Sequence, residues 1–459
     1  MTAKTWSPKL STKDGPIYLA IADALAADIA SGQLAEGTRL PTQRRLAEDL
    51  DIDFTTVSRG YAEAQSRGLI EGKVGQGTYV KARRSTLSRV VQPSGLVDMS
   101  MNLPPRFQNS SLTRRMWEAA RDLEDQGLDL LMRYQEPGGI MSDRVVATGW
   151  LSRRLPGVTS ERVLVAAGAQ GALHAVLGVL TEPGDTVCVE QLTYPGFRSV
   201  ASHLRLKLAP LEMDNHGLLP TAFEEACKAA RPKALYCMPT LHNPTTRTMP
   251  LHRRRELINV ARAYDIPVIE DDAYGALVPD APTPLAAIAP ETVFHVASLS
   301  KCLSPALRVA YVAVPEGRSL RVANAIRASA SLVSPLTSAI ASRWIETGMA
   351  DEVRDEIMRE CATRLQVLRA TLPHNAAAST GGFHAWLPVQ KPWTRGELVS
   401  RLRSVGVGVV ASDAFAISSA PEAVRIGLGA AGSVEELKRS LAILGDLLSQ
   451  APATSTMVV

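Results

Sequence analysis

Residues 298–308 read SLSKCLSPALR, and this stretch decides the fold of the larger part of the chain. It follows an apolar run, so Lys301 is expected beside a buried strand and next to the hydroxyls of Ser298 and Ser300. A lysine that forms an imine must be neutral, and burial beside a cation lowers its pKa in that direction. The two hydroxyls and Arg308, seven residues beyond the lysine, can bind a phosphate dianion. The stretch therefore predicts a lysine that bonds covalently to a phosphorylated cofactor.

Polar side chains near two other expected strands suit the ring of such a cofactor. Asp271 follows the apolar run 267–269, at the carboxyl edge where α/β sheets bind ligands. A carboxylate there can hold a protonated pyridine nitrogen, the electron sink of pyridoxal phosphate (PLP) chemistry. Tyr274 and Asn243 can each reach the phenolic oxygen of the ring. The pattern predicts that these three side chains surround PLP.

Two further segments suit the phosphate and the face of the ring. Ala169 and Gln170 open a helix directly after a strand, where main-chain amides bind phosphate at the positive helix end. Tyr194 precedes a proline and a glycine and offers a flat face for stacking on the ring. The spacing Ser-x-Ser-Lys-x6-Arg and the order of these segments along the chain together favour a PLP site.

From about residue 98 onward, strand-like apolar runs alternate with helical stretches, which predicts an α/β fold with a mostly parallel sheet. The expected strands are short and apolar, as suits strands buried on both faces: 163–167, 186–189, 234–238, 267–269 and 309–314. The last hundred residues differ, with a long helical pattern at 342–372 followed by strand-like runs. They predict a small α+β subdomain from about residue 330.

The first eighty residues predict a DNA-binding fold. Thr42 and Asp53 are expected to cap two short helices joined by a tight turn, and residues 69–80 are expected to form a hairpin. This order is typical of a winged helix-turn-helix. Side chains on the exposed face of the second helix can hydrogen-bond base edges and phosphates in a major groove. They are Thr55, Thr56, Ser58 and Arg59.

This region resembles the GntR family of bacterial DNA-binding domains. The segments that carry the resemblance are LPTQRRLA at 40–47, TTVSRGY at 55–61 and GLIEGKVGQGTYV at 68–80. It implies that Arg44 and Arg59 contact DNA, and that a wing carrying Lys73 and Gln76 approaches the minor groove. Many family members have an arginine where this chain has Phe54, so one expected DNA contact is absent.

Residues from about 98 to 445 resemble the fold-type I PLP-dependent enzymes of the aspartate aminotransferase superfamily. The resemblance assigns Lys301 to the Schiff base, Asp271 to the pyridine nitrogen, and Tyr274 and Asn243 to the phenolic oxygen. It also assigns phosphate-binding roles, with Tyr194 over the ring. The phosphate-binding residues are Ala169, Gln170, Ser298, Ser300 and Arg308.

The same resemblance suggests two residues at the edge of the site. Arg425 matches the arginine that grips a substrate carboxylate in a bidentate fork. Tyr134 resembles the tyrosine that reaches the phosphate from a neighbouring subunit, which implies a site completed in a dimer. The chain departs from its relatives at Thr246, where glycine is frequent, and at Gln191, where an acidic residue or an amide is more usual.

The chain as a whole resembles the MocR-type subfamily of GntR regulators. The resemblance implies a winged helix-turn-helix at 1–81, a linker at 82–97 and an aminotransferase-like body at 98–459. It further implies a head-to-tail homodimer that binds double-stranded DNA. Such a regulator senses PLP, a small amino compound, or both, through Schiff-base chemistry at Lys301.

Two other functions remain open on the sequence. The residues needed for imine exchange are present, so the chain could be a working aminotransferase whose N-terminal module tethers it. Weak transamination is compatible with a regulatory role, and the sequence leaves enzymatic activity undecided. A PLP-binding scaffold that does not bind DNA is the third interpretation.

Bulk properties exclude several classes of protein. The 459 residues carry a formal net charge of +4, too small to indicate nucleic-acid binding by itself. The five cysteines are scattered without metal-ligand spacing, which predicts no metal site and no disulfide framework. The N-terminus lacks the apolar stretch of a signal peptide, and no apolar run is long enough to cross a bilayer. We expect a cytoplasmic protein without a membrane partner.

Overall fold

A computed structural model describes residues 6–8, 16–30, 33–34, 37–73, 77–80, 95–107, 109–123, 131–372 and 376–450. The chain divides into two compact units, residues 1–94 and 95–459. Gln76, the Lys73 side chain and residues 82–94 of the predicted linker lie outside the described part.

Helices and a hairpin make up the described part of the first unit. They are α1 (Ile17–Ala30), α2 (Gln43–Leu50), α3 (Phe54–Ser66), β1 (Ile70–Lys73) and β2 (Gly77–Val80). Thr42 caps α2 by accepting from the Arg45 amide, and Asp53 caps α3 by accepting from the Thr55 amide at 2.7 Å. Asp51, with φ 53°, makes the tight turn between these helices. The predicted winged helix-turn-helix order is confirmed.

A sheet of seven strands forms the centre of the described part of the second unit. In spatial order the strands are β4 (Val163–Ala166), β12 (Ala310–Ala313), β11 (Val293–Ser298), β10 (Val268–Asp271), β9 (Ala234–Cys237), β5 (Thr186–Glu190) and β6 (Lys207–Leu211). Only β12 among them runs against its neighbours, so the other strands end at one edge of the sheet. The predicted mostly parallel α/β fold is confirmed.

Helices pack against this sheet and bury its apolar strands. They are α4 (Ser110–Arg121), α5 (Met141–Leu151), α6 (Gly168–Leu180), α7 (Pro195–His203), α8 (Pro220–Ala230), α9 (Leu251–Ala263), α10 (Leu285–Ile288) and α11 (Ser319–Ala330), with a short hairpin of β7 (Met213–Asp214) and β8 (Gly217–Leu218). Strands such as β4 and β9 are buried at every residue, which explains their continuous apolar sequence.

The C-terminal part forms a smaller α+β layer around an antiparallel sheet in the order β13-β16-β15. Two helices lead into it, α12 (Pro335–Glu346) and α13 (Met349–Thr371), and their buried residues as far as Cys361 pack in the core of the seven-stranded sheet. The elements that follow are β13 (His384–Pro388), α14 (Arg395–Ser404), β14 (Val407–Gly408), β15 (Val410–Ala411), β16 (Ala423–Gly427) and α15 (Val434–Ser449). The strand β3 (Val97–Asp98) pairs in parallel with β14. The start of the second unit therefore packs against the C-terminal part of the same unit.

The long helical pattern predicted at 342–372 is confirmed, with a break at residues 347–348 that divides it between two helices. The helix α12 ends at Glu346, and α13 begins at Met349. Gly348 between them has φ 77°, a left-handed conformation that glycine adopts without strain and that ends a helix. Within the described residues, no helix combines the length and apolar character needed to span a membrane.

Candidate functional site

Lys301 lies in the turn after β11, at the carboxyl edge of the sheet. Its Nζ donates to the main-chain oxygen of Asn102 at 2.5 Å and lies 5.9 Å from the ring centre of Phe383. Burial, reinforced by the charge of Arg425 and partly offset by Asp271, lowers the pKa of Lys301 to about 8. The neutral form of this amine is therefore a minor species near neutral pH, but far more abundant than for an ordinary lysine, and imine formation requires this form.

Asp271 ends the adjacent strand β10 and is 2% exposed. Its Oδ2 accepts a hydrogen bond from the Tyr236 hydroxyl at 2.9 Å, while its Oδ1 has no partner among the described residues. Burial raises the pKa of Asp271 to about 6, against the opposing effect of the Tyr236 hydrogen bond. A buried carboxylate oxygen without a donor is costly, and a protonated pyridine nitrogen would supply that donor. The residues present therefore fit PLP at this point.

Tyr274 and Asn102 contact each other inside the same site. The Asn102 Nδ2 donates to the Tyr274 hydroxyl at 2.7 Å, and both side chains are buried. Burial raises the pKa of Tyr274, so the phenol is neutral at physiological pH. A neutral phenol retains a proton that it can donate to the phenolic oxygen of a cofactor.

Arg425, on β16, joins the small layer to the site. Its Nη1 donates to Asn243 Oδ1 at 2.8 Å, and its Nη2 donates to the Ser100 main-chain oxygen at 2.6 Å. Its Nε is buried without a partner in the described part of the chain. Burial lowers the pKa of Arg425, but an arginine remains charged at any physiological pH. This guanidinium suits a ligand carboxylate.

The N-terminus of helix α6 and Arg308, both predicted to bind phosphate, lie beside each other. Gly168 starts α6 with φ 74°, and a Cβ at Gly168 would lie 3.2 Å from the Arg308 guanidinium carbon. The guanidinium therefore lies against the helix N-terminus that Ala169 and Gln170 continue. The predicted phosphate serines also contact each other, since Ser300 N donates to Ser298 Oγ at 3.2 Å. The main-chain amides at the N-terminus of α6 and the guanidinium of Arg308 are thus close together, an arrangement that suits the binding of an anion.

Tyr194 and Tyr134 occupy different environments. Tyr194 precedes α7 and is half-buried, and burial followed by the charge of Asp271 raises its pKa. It therefore lies near the ring site. Tyr134 is 90% exposed and lines a surface hollow of about 850 Å³ with Arg133 and Arg327. The lining of this hollow includes none of the residues around Lys301, so Tyr134 lies apart from the Lys301 site of its own chain.

Sequence reasoning missed three residues of the site: Asn102, Tyr236 and Ser100. Tyr236 lies on a strand that the sequence predicts to be buried, and a buried hydroxyl needs a hydrogen-bond partner, so its polar contact could have been expected. Ser100 contacts Arg425, and Asn102 contacts Lys301, through main-chain oxygens, for which a sequence contains no signal. Thr246, a noted departure from glycine, has φ 63°, which explains why glycine is favoured there.

His384, on β13, packs beside Tyr274, and the centres of the two rings lie 5.6 Å apart. It is fully buried, with Nε2 3.3 Å from the His242 main-chain oxygen. Burial lowers its pKa to about 3, so the ring is neutral. No group of three or more potential metal ligands occurs within the described ranges.

The candidate DNA-binding face lies on α2 and α3 of the first unit. Arg44, Thr55 and Arg59 are exposed, while Thr56 and Ser58 are half-buried. The Thr55 hydroxyl donates to the carboxylate of Asp53, the residue that caps α3. The guanidinium of Arg59 lies 4.2 Å from the ring centre of Tyr18.

Family comparisons agree with both units. Residues 17–80 match the gntR family of bacterial regulatory proteins, and residues 94–444 match the class I and II aminotransferase family. The chain is 32% identical to the uncharacterized HTH-type transcriptional regulator YdeF of Bacillus subtilis, over 97% of each chain. It is 27% identical to the HTH-type transcriptional regulator TauR of Rhodobacter capsulatus, over 83% of this chain and 85% of that one.

Solved aminotransferases share the fold of the body. The multiple substrate aminotransferase of Thermococcus profundus has a TM-score of 0.70 at 20% identity, covering 78% of this chain and 92% of that chain. The α-aminoadipate aminotransferase LysN of Thermus thermophilus has a TM-score of 0.69 at 23% identity, covering 85% and 98%.

Fold and site together define a gntR-type DNA-binding module joined to an aminotransferase-like body of a PLP-binding fold. The chain belongs to the class I and II aminotransferase family through its body. Because it also carries a gntR domain, it has the domain combination of the MocR-type gntR regulators.

Proposed function

We propose that this chain is a DNA-binding transcriptional regulator that senses PLP, an amino compound, or both at Lys301. One observation carries the proposal. The low-pKa amine of Lys301 follows β11, and Asp271, whose Oδ1 has no partner among the described residues, ends the adjacent parallel strand β10, in a chain that also has a gntR module. The two relatives named above, which match most of the length of this chain, are named as transcriptional regulators, and this supports the regulatory role.

The residues around Lys301 would hold PLP by distinct contacts. When bound, PLP supplies a carbonyl carbon that amines attack and a ring that withdraws electrons. Lys301 would bond to that carbon, Asp271 would hold the pyridine nitrogen, and Tyr274 and Asn243 would contact the phenolic oxygen. Tyr194 would cover the ring. The residues proposed for the phosphate are Ala169, Gln170, Ser298, Ser300 and Arg308.

The effector is proposed to be a small amino compound with an acidic group. Arg425 is charged and buried, and its Nε has no partner among the residues that the structure describes, so an anionic ligand there gains a charge-assisted hydrogen bond. Binding of that anion competes with the contacts of Arg425 to Asn243 and Ser100. A ligand that engages both Arg425 and Lys301 thus binds more tightly to the arrangement of the site in which Arg425 has released Asn243 and Ser100. Only such a difference in affinity between two states can shift a regulator from one state to the other.

Double-stranded DNA is the proposed macromolecular partner. The helix α3 would enter the major groove with Arg44 beside it, and the wing would follow the minor groove. Residues proposed to contact DNA are Arg44, Thr55, Thr56, Ser58, Arg59, Lys73 and Gln76. We assign residues 1–81 to this module, 82–97 to the linker and 98–459 to the body, in a cytoplasmic protein.

A head-to-tail homodimer is the proposed assembly. Large apolar side chains are exposed on the described surface of the body, including Trp117, Met132, Met141 and Val145. A contiguous exposed apolar patch marks a protein interface, and we propose that these side chains contribute to one. Tyr134 is exposed as well, and in the proposed dimer it would reach the phosphate site of the second copy.

A working aminotransferase is the second candidate, because the amine, the pyridine partner and the carboxylate-binding arginine all lie in one site. The discriminating experiment measures both functions on one preparation: footprinting upstream of the neighbouring gene, and turnover of amino donors. The regulator predicts a footprint that changes with PLP or an amine, with turnover far below about 1 s⁻¹. Turnover at or above that rate without a footprint would establish the enzyme.

A further inference from the structure

Asn102 holds two of the functional groups of the Lys301 site. Its main-chain oxygen accepts from Lys301 Nζ at 2.5 Å, and its Nδ2 donates to the Tyr274 hydroxyl at 2.7 Å. We propose that Asn102 is a positioning residue that orients the Lys301 amine and the Tyr274 proton toward the cofactor. The inference rests on the proposed binding of PLP at Lys301.

The main chain around Asn102 is clamped against β16 and the turn that follows it. Gly427 N donates to the Met99 oxygen at 2.7 Å. A Cβ at Gly427 would lie 2.4 Å from the Met101 oxygen, and one at Gly429 would lie 2.0 Å from the Leu103 oxygen. Only glycine permits this approach, so the backbone on both sides of Asn102 is fixed. The Asn102 oxygen is therefore a preorganised acceptor for Lys301.

The side-chain contact sets the direction of the Tyr274 proton. A phenol has one proton to donate and lone pairs to accept with. Because Asn102 Nδ2 donates to the Tyr274 oxygen, the phenolic proton remains free for an acceptor in the site. The phenolic oxygen of PLP is such an acceptor. Donation to it stabilises negative charge there, which lowers the pKa of the nitrogen that joins Lys301 to the cofactor.

Replacement of the Asn102 side chain leaves the other titratable or charged groups of the site unaltered in sequence. They are Asp271 at the end of β10, Tyr274 in the following turn, Tyr194 before α7, His384 on β13 and Arg425 on β16. Since replacement of the Asn102 side chain retains its main-chain oxygen, the substitution isolates the contact with Tyr274. The Asn102 side chain is 9% exposed, and its Oδ1 has no partner in the described part of the chain.

The test is a pH titration of the visible absorbance of the full-length chain loaded with PLP. We expect Asn102→Ala to raise the pKa of that absorbance by roughly half a pH unit to one, the effect of one hydrogen bond. Asn102→Asp is expected to raise it further, because a carboxylate only accepts and adds negative charge beside Lys301. Asn102→Ser repeats the test with a small polar side chain if the alanine variant does not accumulate as folded protein.

A double-mutant cycle separates positioning from a general structural effect. Tyr274→Phe should raise the same pKa, and adding Asn102→Ala to it should add almost nothing, because both act through one hydrogen bond. Asn109→Ala is the matched control: Asn109 caps α4 by accepting from Leu112 N at 3.0 Å and lies outside the site. It should leave the titration unchanged.

An unchanged or lowered pKa in Asn102→Ala would overturn the inference, as would additive effects in the cycle. A lowered pKa would mean that the amide accepts the Tyr274 proton. If the wild-type chain shows no visible absorbance with PLP, the proposed function itself fails. The two failures are therefore distinguishable.

Discussion

The recognition helix α3 and the Lys301 site present their functional groups in opposite ways. Arg59 on α3 is exposed, and its helix begins at a cap made by the neighbouring Asp53. Lys301 is held by the oxygen of Asn102, 199 residues away along the chain. Local sequence thus sets the DNA-binding face, whereas long-range packing sets the site that would sense the ligand.

The difference in burial has chemical consequences. A side chain in water keeps its ordinary charge and attracts DNA through electrostatics that salt screens. In the body, burial lowers the pKa of Lys301 and raises that of Asp271, which prepares both for a ligand. The comparison predicts that substitutions in one region leave the primary function of the other intact.

The largest expected effect is complete loss of the covalent cofactor in Lys301→Ala. Without this amine no bond to PLP forms, so the visible absorbance of the loaded chain should vanish while DNA affinity without PLP persists. Lys228→Ala is the control, because Lys228 is exposed and pairs with Glu224. Absorbance that survives in Lys301→Ala would place the reactive lysine elsewhere.

The next effect concerns the DNA-binding face. The double variant Arg44→Ala, Arg59→Ala should weaken DNA binding at least about 30-fold, since each lost contact costs about 1 to 3 kcal/mol. PLP absorbance should be unchanged. Arg45→Ala is the matched control, since Arg45 already pairs with Asp49 at 3.1 Å. Equal loss in the control and the double variant would contradict the assignment of this face.

A third expectation concerns pH and the body alone. Because the lowered pKa of Lys301 is about 8, the neutral amine is a minor species below that pH and predominates above it. The rate at which PLP bonds to the free chain should rise about tenfold per pH unit below pH 8 and level off above it. Stopped-flow absorbance measures this rate. A plateau reached only near pH 10 would show an ordinary, solvated lysine.

The smallest effect is expected at Phe54, which is 44% exposed at the start of α3. Phe54→Arg adds a cation where many relatives have one, so DNA affinity should rise several-fold at low salt. The slope of log affinity against log salt should steepen by about 0.9. Fluorescence anisotropy across a salt series measures both quantities. A fall in affinity would show instead that Phe54 itself contacts the bases.

The fold could be predicted closely because its signals are local. Continuous apolar runs located β4, β5, β9, β10 and β12, and capping residues located α2 and α3. The break at Gly348 was missed because the amphipathic pattern continues across it, and only the positive φ ends the helix. The side chains of Lys301, Asp271, Tyr274 and Arg425 were each anticipated by residue type and position.

The sequence by itself determined the order of elements, the two kinds of unit and the chemistry available in each, because periodicity, caps and reactive side chains are properties of short segments. Only the tertiary structure decided which groups meet. Arg425 reaches the oxygen of Ser100, 325 residues away, and Tyr236 takes one oxygen of Asp271 while the other has no described partner. Main-chain oxygens are the same in every residue, so their placement follows from packing alone.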